Sequence, residues 1–307
     1  MSLTLGISAC LMGQKVRYDG RDKASSYCIE QLSQHINLQS FCPEMAIGLG
    51  VPRPPIQLEQ RADGIAVVSV HNPNNHDFAP ALHQYAQHVL TTHPKLCGFI
   101  LMQKSPSCGL YSSTIKQLDG SLTLGTGAFT QGLQAQRLYL PLIEEQQLAD
   151  KTQLAAFLTA AFALQDCQLL LQQTATTAQW QALHAKYKYQ LMVSDNAIYK
   201  QLGKQLSKPD FSDISYVNQL ISALQKPTTR GQHYNGLLHI AGYFKNFLTA
   251  SERQAVHTQL QAFHQQQCSL AQAIDHLRQL QLSYPHPYLA KQFYLYMPEV
   301  IYNLYQE

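Results

Sequence analysis

Residues 98–109, GFILMQKSPSCG, show the pattern on which the predicted fold rests. Residues 99–102 form a short apolar run, which is typical of a buried strand. A polar turn follows directly and carries Lys104, two serines and Cys108. Because ligands of open α/β sheets bind at the carboxyl ends of the strands, this stretch predicts a strand that presents polar groups and a cysteine to a ligand.

Two earlier stretches repeat this arrangement. Residues 3–9 are mostly apolar and lead into Cys10, and residues 40–41 lead directly into Cys42. The carboxyl ends of parallel strands lie along one edge of their sheet. The sequence therefore predicts that Cys10, Cys42 and Cys108 meet at one edge of one sheet.

The composition is that of a folded protein with more than one domain. The chain has 307 residues, of which 45% are hydrophobic, and this length favours two domains. No stretch approaches the roughly 20 apolar residues of a membrane helix, and the first residues do not resemble a signal peptide. We therefore expect a cytoplasmic protein without a membrane partner. Its seven cysteines are then ligands, catalytic groups or buried thiols rather than disulfides.

The alternation of strand-like and helical runs predicts an α/β N-terminal domain with a mostly parallel sheet at residues 1–165. Within it, residues 23–36 and 77–92 are helical in character. Residues 144–171 contain no Pro or Gly and are rich in Ala, Leu and Gln, which favours a helix. No convincing strand follows, so residues 166–307 are predicted to form an all-α C-terminal domain.

The C-terminal part carries an excess of positive charge. From residue 166 onward there are 11 Lys and Arg against 8 Asp and Glu, and the whole chain has a formal net charge of +3. Between His184 and Lys208 there are five lysines and one acid, Asp195. A basic stretch of this kind indicates a polyanionic partner, or else only a solvated helical face.

The three cysteines at the strand ends suit a soft metal, since no histidine cluster accompanies them. Structural zinc usually has four protein ligands and paired C-x-x-C spacing, which this sequence lacks. A [4Fe–4S] cluster on three cysteines leaves one iron open as a Lewis acid. The alternative is that these cysteines are small buried hydrophobic residues. We expect that role for the cysteines in other settings, which are Cys28, Cys97, Cys167 and Cys268.

Three segments around these cysteines resemble the thiouracil desulfidase (TudS) family. They are residues 7–20 (ISACL and RYDG), 42–53 (CPE and GLGVPR) and 104–109 (KSPSCG), and the resemblance extends over residues 1 to about 165. The C-terminal part resembles the YbgA-type domain at the segments KYQLMVS (188–194), TRGQ (229–232), YFK (243–245) and YLAKQ (288–292). Together the two parts resemble fused desulfidases of the RudS type, which act on 4-thiouridine in tRNA.

The resemblance implies that Cys10, Cys42 and Cys108 hold a [4Fe–4S] cluster whose open iron takes the sulfur of the substrate. A thiocarbonyl sulfur is soft and binds iron, so water can add to the ring carbon while sulfur leaves, without any electron donor. Glu44 and Ser105 would then position or deprotonate the water or move protons on the ring. The alternatives are that Glu44 caps the following turn and that Ser105 donates to cluster sulfur.

Further residues are candidate contacts of the substrate or of the RNA. They are Asp19, Arg53, Lys104, Ser107, Lys186, Lys188, Lys200, Lys204 and Arg230. Simpler roles exist for several of them. Asp19 suits a turn before Gly20, Ser107 could donate to cluster sulfur, and Arg53 and Lys104 could be surface charges.

The leading hypothesis is an iron–sulfur desulfidase for 4-thiouridine in tRNA, with the helical domain holding the RNA and no obligate protein partner. A second hypothesis keeps the chemistry but assigns free thiouracil or another thiolated base as the substrate. A third is a non-enzymatic iron–sulfur sensor or electron carrier. An open iron argues against the carrier, because a carrier generally has all of its irons ligated.

Overall fold

The computed structural model describes residues 2–72, 76–173 and 175–306, and the chain divides into two compact units between Ala149 and Asp150. The N-terminal unit is α/β and the C-terminal unit is helical, so the predicted fold class is confirmed. The predicted domain boundary at 165/166 lies inside helix α4 (Lys151–Leu171), which belongs to the C-terminal unit. Asp150 caps the start of the helix, and its side chain accepts hydrogen bonds from the backbone N–H groups of Thr152 and Gln153. This cap, rather than a change in composition, marks where the second unit starts.

The main sheet of the N-terminal unit has four parallel strands. In spatial order they are β2 (Asn37–Phe41), β1 (Thr4–Ser8), β5 (Phe99–Leu101) and β8 (Leu142–Glu144). A side chain at Gly6 would collide with the ring of Phe99 on the neighbouring strand, so only glycine fits there. Strand β8 ends at Glu144, the first residue of the run that is predicted to be helical. The helix instead starts after a short 3₁₀ turn, Glu145–Ala149.

A second four-stranded sheet has the order β4-β3-β6-β7. The strands are β3 (Ile56–Arg61), β4 (Gly64–Ser69), β6 (Ser113–Lys116) and β7 (Leu122–Gly125). The β3–β4 and β6–β7 pairs are antiparallel, whereas β3 and β6 are parallel. This sheet belongs to the same compact unit as the main sheet.

Three helices complete the N-terminal unit: α1 (Pro43–Ala46), α2 (Ala79–Thr92) and α3 (Ala128–Gln136). Helix α2 confirms the helical prediction for residues 77–92, and it buries Leu82, Ala86 and Val89. The helical prediction for residues 23–36 is confirmed only in the middle of that range, where the turns are not α-helical. The structure has only a π-helical turn, Tyr27–Gln31, and a 3₁₀ turn, Leu32–Gln34.

The helices of the C-terminal unit enclose a core of their own. After α4 they are α5 (Thr177–Lys186), α6 (Lys188–Gln205), α7 (Asp213–Leu224), α8 (Arg230–Ala241), α9 (Ala250–His264), α10 (Leu270–Ser283) and α11 (Glu299–Tyr302). Helix α4 is long and apolar enough to cross a membrane by length and composition, contrary to the sequence-based expectation. In its most apolar window 61% of the residues are buried, which is the behaviour of a core helix.

Candidate functional site

The three cysteines from the strand ends line one cavity of about 520 Å³ in the N-terminal unit. Strands β2, β1 and β5 are adjacent and parallel, so Cys42, Cys10 and Cys108 follow three neighbouring carboxyl ends. The prediction that these residues meet at one edge of one sheet is confirmed. A cavity of this size is within the usual range for small-molecule sites.

Each cysteine is positioned by a different local structure. Cys10 lies in a 3₁₀ turn, Ala9–Met12, that follows β1 directly and ends at Gly13, whose φ is 78°. Cys42 stands directly after β2 and immediately before α1, and its Sγ lies 3.9 Å from the carbonyl oxygen of Val16. Both cysteines lie within two residues of the end of a strand, so the sheet sets the position of their backbone.

The turn that carries Cys108 is organised by Ser105. The hydroxyl oxygen of Ser105 accepts hydrogen bonds from the backbone N–H groups of Ser107 (3.3 Å) and Cys108 (3.1 Å). A serine oxygen has two acceptor positions and one hydrogen to donate, so only its O–H remains available. Since Ser105 also lines the cavity, it can donate a hydrogen bond there but is not placed to be a base.

Glu44 lines the same cavity and is held through both carboxylate oxygens. Its Oε2 accepts hydrogen bonds from Nη2 (2.6 Å) and Nε (3.0 Å) of Arg53, and its Oε1 accepts one from the hydroxyl of Ser107 (3.0 Å). The side chain of Glu44 does not cap α1, which has no side-chain cap. The structure thus brings together Glu44, Arg53 and Ser107, three of the predicted site residues.

Arg53 is a buried structural cation rather than a surface charge. Its exposed fraction is 9%, and its guanidinium also donates to the carbonyl oxygens of Gly50 (2.6 Å) and Val16 (2.9 Å). Ser107 is fully buried. Both residues therefore hold Glu44 in place. Arg53 also lines the cavity, whereas Ser107 does not, and their contact with the substrate stays a prediction.

A buried carboxylate that the sequence analysis missed supports this site from the neighbouring strand. Glu144 ends β8 and is 2% exposed. Its Oε1 accepts hydrogen bonds from the backbone N–H of Leu110 (2.6 Å) and from the hydroxyl of Ser112. Ser112 in turn accepts from the backbone N–H of Lys104 (2.7 Å). Glu144 thereby ties both ends of the Cys108 turn to the sheet.

The cysteine sulfurs are close enough to influence one another electrostatically. Burial, and then the nearby Cys42, raise the pKa of Cys10 to about 11. Burial raises the pKa of Cys108 well above its ordinary value, and Cys10 raises it further. Thiols in such a setting stay protonated until a metal displaces the protons.

This donor set fits a cluster better than a single ion. In the described residues, no group of three or more His, Cys, Asp or Glu side chains could hold one metal ion. The three thiols nevertheless surround a common cavity and are free of disulfides. Three soft donors spread around a cavity suit an iron–sulfur cluster, which is larger than an ion and is ligated by cysteine.

The other predicted contacts of the N-terminal unit differ in position. Lys104 is exposed and lines the cavity, together with Arg17 and Lys23. Asp19 does not line it. The carboxylate of Asp19 accepts from the backbone N–H of Arg21 (3.1 Å), so it is the turn residue of the simpler prediction. This bond, together with the nearby charges of Arg17 and Arg21, lowers the pKa of Asp19.

The predicted RNA contacts of the C-terminal unit are not equivalent either. Lys186 forms an ion pair with Asp166, at 2.6 Å. The Nζ of Lys188 lies over the rings of Tyr189 (5.0 Å) and Tyr288 (5.4 Å). Lys200 and Lys204, on α6, are exposed.

Arg230 has a structural role. Its Nη1 donates to the carbonyl oxygens of Phe263 (2.6 Å) and Cys268 (3.3 Å), at the junction between α9 and α10. Its guanidinium also lies 4.6 Å from the centre of the Phe263 ring. The geometry therefore does not favour Arg230 as an RNA contact.

Comparisons with known proteins match two separate parts of the chain. The family model described as 2-thiouracil desulfurase matches residues 5–145, and the one described as protein of unknown function DUF1722 matches residues 188–298. The uncharacterized protein YbgA of Escherichia coli K12 is 25% identical over 152 residues, 46% of this chain and 87% of YbgA. The solved structure of TudS, a [4Fe-4S]-dependent thiouracil desulfidase, is 30% identical, with a TM-score of 0.39. That match covers 48% of this chain and 93% of TudS.

Proposed function

We propose that the protein removes the sulfur of 4-thiouridine in tRNA and leaves uridine, and the match of residues 5–145 to the 2-thiouracil desulfurase family model supports this proposal. The observation that carries the proposal is the meeting of Cys10, Cys42 and Cys108 at one cavity with Glu44. Water supplies the oxygen of the product carbonyl, and sulfur leaves as sulfide with both protons of that water. The reaction therefore neither takes up nor releases electrons.

We propose a [4Fe–4S] cluster, held by the three cysteine sulfurs, as the cofactor. The donor set supports this choice, and it agrees with the cofactor for which TudS is named. When bound, a cluster on three cysteines supplies an open iron that acts as a Lewis acid toward the soft thiocarbonyl sulfur. Glu44 and Ser105, which line the same cavity, then act on water and on the ring.

Glu44 is the residue placed to take a proton from the attacking water. Arg53 and Ser107 orient its carboxylate. A carboxylate can accept about four hydrogen bonds, so Glu44 can also accept a hydrogen bond from water. As the water oxygen bonds to the ring carbon, one proton passes to Glu44. The carbon–sulfur bond then breaks, its electron pair leaves with sulfur, and the protons follow to sulfide. The O–H of Ser105 donates a hydrogen bond to the nucleobase of the substrate.

The C-terminal unit is proposed to hold the tRNA, and the cytoplasm is the proposed location of the reaction. Its support is the excess of basic residues after residue 166 and the exposure of Lys200 and Lys204. Lys188 adds an ammonium group beside two tyrosine rings. Lysines next to aromatic side chains commonly bind RNA, because the lysines contact the phosphate backbone and the aromatic rings stack on the bases.

A second candidate substrate is free thiouracil. The observation in its favour is that all of the proposed chemical groups lie in the N-terminal unit, around one cavity. A small base could therefore react without the helical unit. A sensor or electron carrier is the remaining alternative.

One assay separates these possibilities. Protein reconstituted without oxygen is incubated with tRNA that contains 4-thiouridine, with the free nucleoside and with thiouracil. We expect sulfide release and loss of thiouridine absorbance with the tRNA. Turnover of thiouracil alone would favour the second candidate, and no turnover of any substrate would favour a sensor or carrier.

The cofactor itself gives a direct prediction. Anaerobically purified protein should contain about four irons per chain, and substitution of Cys10, Cys42 or Cys108 by Ala should remove them. The matched controls are Cys28→Ala and Cys167→Ala, at buried cysteines outside the cavity, which should retain iron. Iron and acid-labile sulfide are measured on each variant. Stoichiometric zinc without iron would contradict the prediction.

A further inference from the structure

Residues 127–130, GAFT, form the start of helix α3 and contact the Cys108 turn. N–H groups at the start of a helix have no partner within the helix and often bind anions such as phosphate. Here the N–H groups of Ala128 (3.0 Å), Phe129 (3.0 Å) and Thr130 (3.3 Å) donate instead to carbonyl oxygens of that turn. They are therefore used by the protein's own backbone, which argues against a phosphate site at this segment.

The carbonyl oxygens of residues 106–109 all accept hydrogen bonds from this 127–130 segment. The bond at Cys108 comes from a side chain, because the hydroxyl of the fully buried Thr130 donates to its carbonyl oxygen at 2.8 Å. The N–H of Gly127 donates to the last of these carbonyl oxygens, also at 2.8 Å. Whereas the carboxylate at the end of β8 ties the two ends of the turn to the sheet, the 127–130 segment holds its middle.

Glycine is required at position 127 for this close approach. A Cβ there would lie 2.5 Å from the carbonyl carbon of Ser107 and 2.6 Å from its carbonyl oxygen. A backbone carbonyl cannot rotate away as the end of a flexible side chain can, and glycine is the residue that lets two backbone segments meet. Any other residue at position 127 would therefore displace the turn that carries Cys108.

Phe129 anchors the segment to the sheet. It is fully buried, and its ring lies edge-on against Phe99 of β5, with ring centres 5.6 Å apart. On its other neighbour, Tyr85 of α2, the ring centres are 5.7 Å apart. Strand β5 leads into the Cys108 turn, so the helix that holds this turn is packed against the same strand. Such dense packing transmits a displacement instead of absorbing it.

We infer that the 127–130 segment positions both Cys108 and Ser107 for the proposed cluster site, with Thr130 as a positioning residue for the cysteine ligand. The inference rests on the proposed function, which gives the sulfur of Cys108 to the cluster. Two N–H groups of α3 fix the carbonyl oxygen of Ser107, while its hydroxyl donates to Glu44 (3.0 Å). One segment thus sets the position of a ligand and, through Ser107, the orientation of the proposed proton acceptor.

Thr130→Val tests this role, because it keeps the shape of the side chain and removes only the hydroxyl. The buried carbonyl oxygen of Cys108 then lacks a donor, so iron should leave the full-length reconstituted protein at least about fivefold faster under a chelator. Thr130→Ser, which keeps the hydroxyl, should release iron at about the normal rate. Thr159→Val, at an equally buried threonine of the C-terminal unit, is the matched control and should also be normal.

Amide hydrogen exchange separates positioning from a loss of overall stability. In Thr130→Val, exchange should become faster at residues 105–109 and stay unchanged in β1, whereas general destabilisation would raise it throughout the N-terminal unit. Neither measurement requires turnover. Iron-loaded protein without desulfidase activity would therefore contradict the proposed function but not this inference. If the wild-type protein holds no iron, the proposed cofactor is wrong, and exchange alone decides whether the segment holds the turn.

Gly127→Ala provides a second variant, since the added methyl group collides with the backbone of Ser107 and should also speed the loss of iron. Its control is Gly242→Ala, where the structure describes no heavy atom within 4 Å of an added Cβ. Normal iron release and normal exchange of the turn in both Thr130→Val and Gly127→Ala would overturn the inference. A rise in exchange that is equal throughout the unit would overturn it as well.

Discussion

Glu44, the proposed proton acceptor, is fixed in orientation by its neighbours. Arg53 is 9% exposed and holds one carboxylate oxygen in a charge-assisted pair, while the buried hydroxyl of Ser107 holds the other. Such pairs are shorter and stronger than neutral hydrogen bonds. The carboxylate is therefore fixed in orientation before a substrate enters, which is the condition that acid–base catalysis requires.

Glu44→Gln should separate this role from a structural one. The amide keeps the length of the side chain but cannot take a proton, so kcat should fall by about 10²-fold or more while iron content is retained. Turnover of thiolated tRNA and iron per chain are measured on the same preparation. Glu30→Gln, at an exposed carboxylate of the same unit, is the control. Unchanged turnover in Glu44→Gln would show that the residue only supports the site.

His233 gives the C-terminal unit a predictable pH dependence. The ring is 5% exposed and bonded to Thr228 (2.7 Å) and Tyr294 (2.8 Å), and burial lowers its pKa from 6.5 to about 3. Because the folded pKa lies below the unfolded one, the neutral ring stabilises the fold above pH 6.5. That stability is lost as the pH falls toward 3, by roughly 2 kcal/mol at pH 5.

The measurement is the free energy of unfolding of the C-terminal unit between pH 7 and pH 5. His233→Gln should remove most of this slope, whereas His257→Gln, at an exposed histidine of α9, should not. Half-buried His184, whose pKa burial lowers to about 4, leaves a residual slope of the same sign. An identical slope in His233→Gln would contradict the assignment.

At the scale of elements, the sequence predicts those strands and helices that a local pattern of residue types encodes. The buried strands β1 and β5 read as apolar runs, and the cysteine after each is visible beside them. Strand β7 could not be recognised, because it is short and its Leu122 and Leu124 are exposed. Hydrogen bonds between residues that are distant along the chain also leave no periodic pattern in the sequence. The bond from Leu110 to Glu144 spans 34 positions, so the support of the Cys108 turn appears only in the fold.

Glu144 shows how the edge strand β8 contributes to the site without touching the cavity. Its carboxylate accepts from Leu110, Ser112 and the side-chain amide of Gln146 (3.0 Å). All three are donors, so the acceptor-only character of a carboxylate is what the position requires. An amide would place its own N–H₂ against at least one of these donors.

Glu144→Gln should therefore destabilise the N-terminal unit by about 1–3 kcal/mol, the cost of a buried donor left unsatisfied. We also expect faster loss of iron, since the Cys108 turn is no longer tied to the sheet. Thermal unfolding and iron release under chelator are the measurements. Glu145→Gln, at the adjacent half-buried carboxylate, should change neither. Equal behaviour of the two variants would show that Glu144 does not hold the turn.

At the scale of the whole molecule, the proposed catalytic groups lie in the N-terminal unit and the excess of positive charge lies in the C-terminal unit. The cysteines, Glu44 and Ser105 all lie before the division at Ala149, whereas the excess of positive charge lies after residue 166. Changes in the basic residues should therefore affect the binding of tRNA and leave the turnover of a small thiolated base intact. The lysines are not interchangeable in this respect, because Lys186 is paired with Asp166.

Combined replacement of Lys188, Lys200 and Lys204 by Ala tests this division. Each lysine that neutralises a phosphate releases counterions, and each contact contributes about 0.7–0.9 to the slope of log K against log salt. The triple variant should bind tRNA more weakly, with a slope smaller by about 2, in titrations at several salt concentrations. Lys226→Ala, at a lysine paired with Asp195 (2.5 Å), is the control and should have the normal slope.

If the triple variant keeps its affinity and slope, these lysines are only solvated surface. The RNA contacts must then be sought among the basic residues at the cavity of the N-terminal unit, Arg17, Lys23 and Lys104.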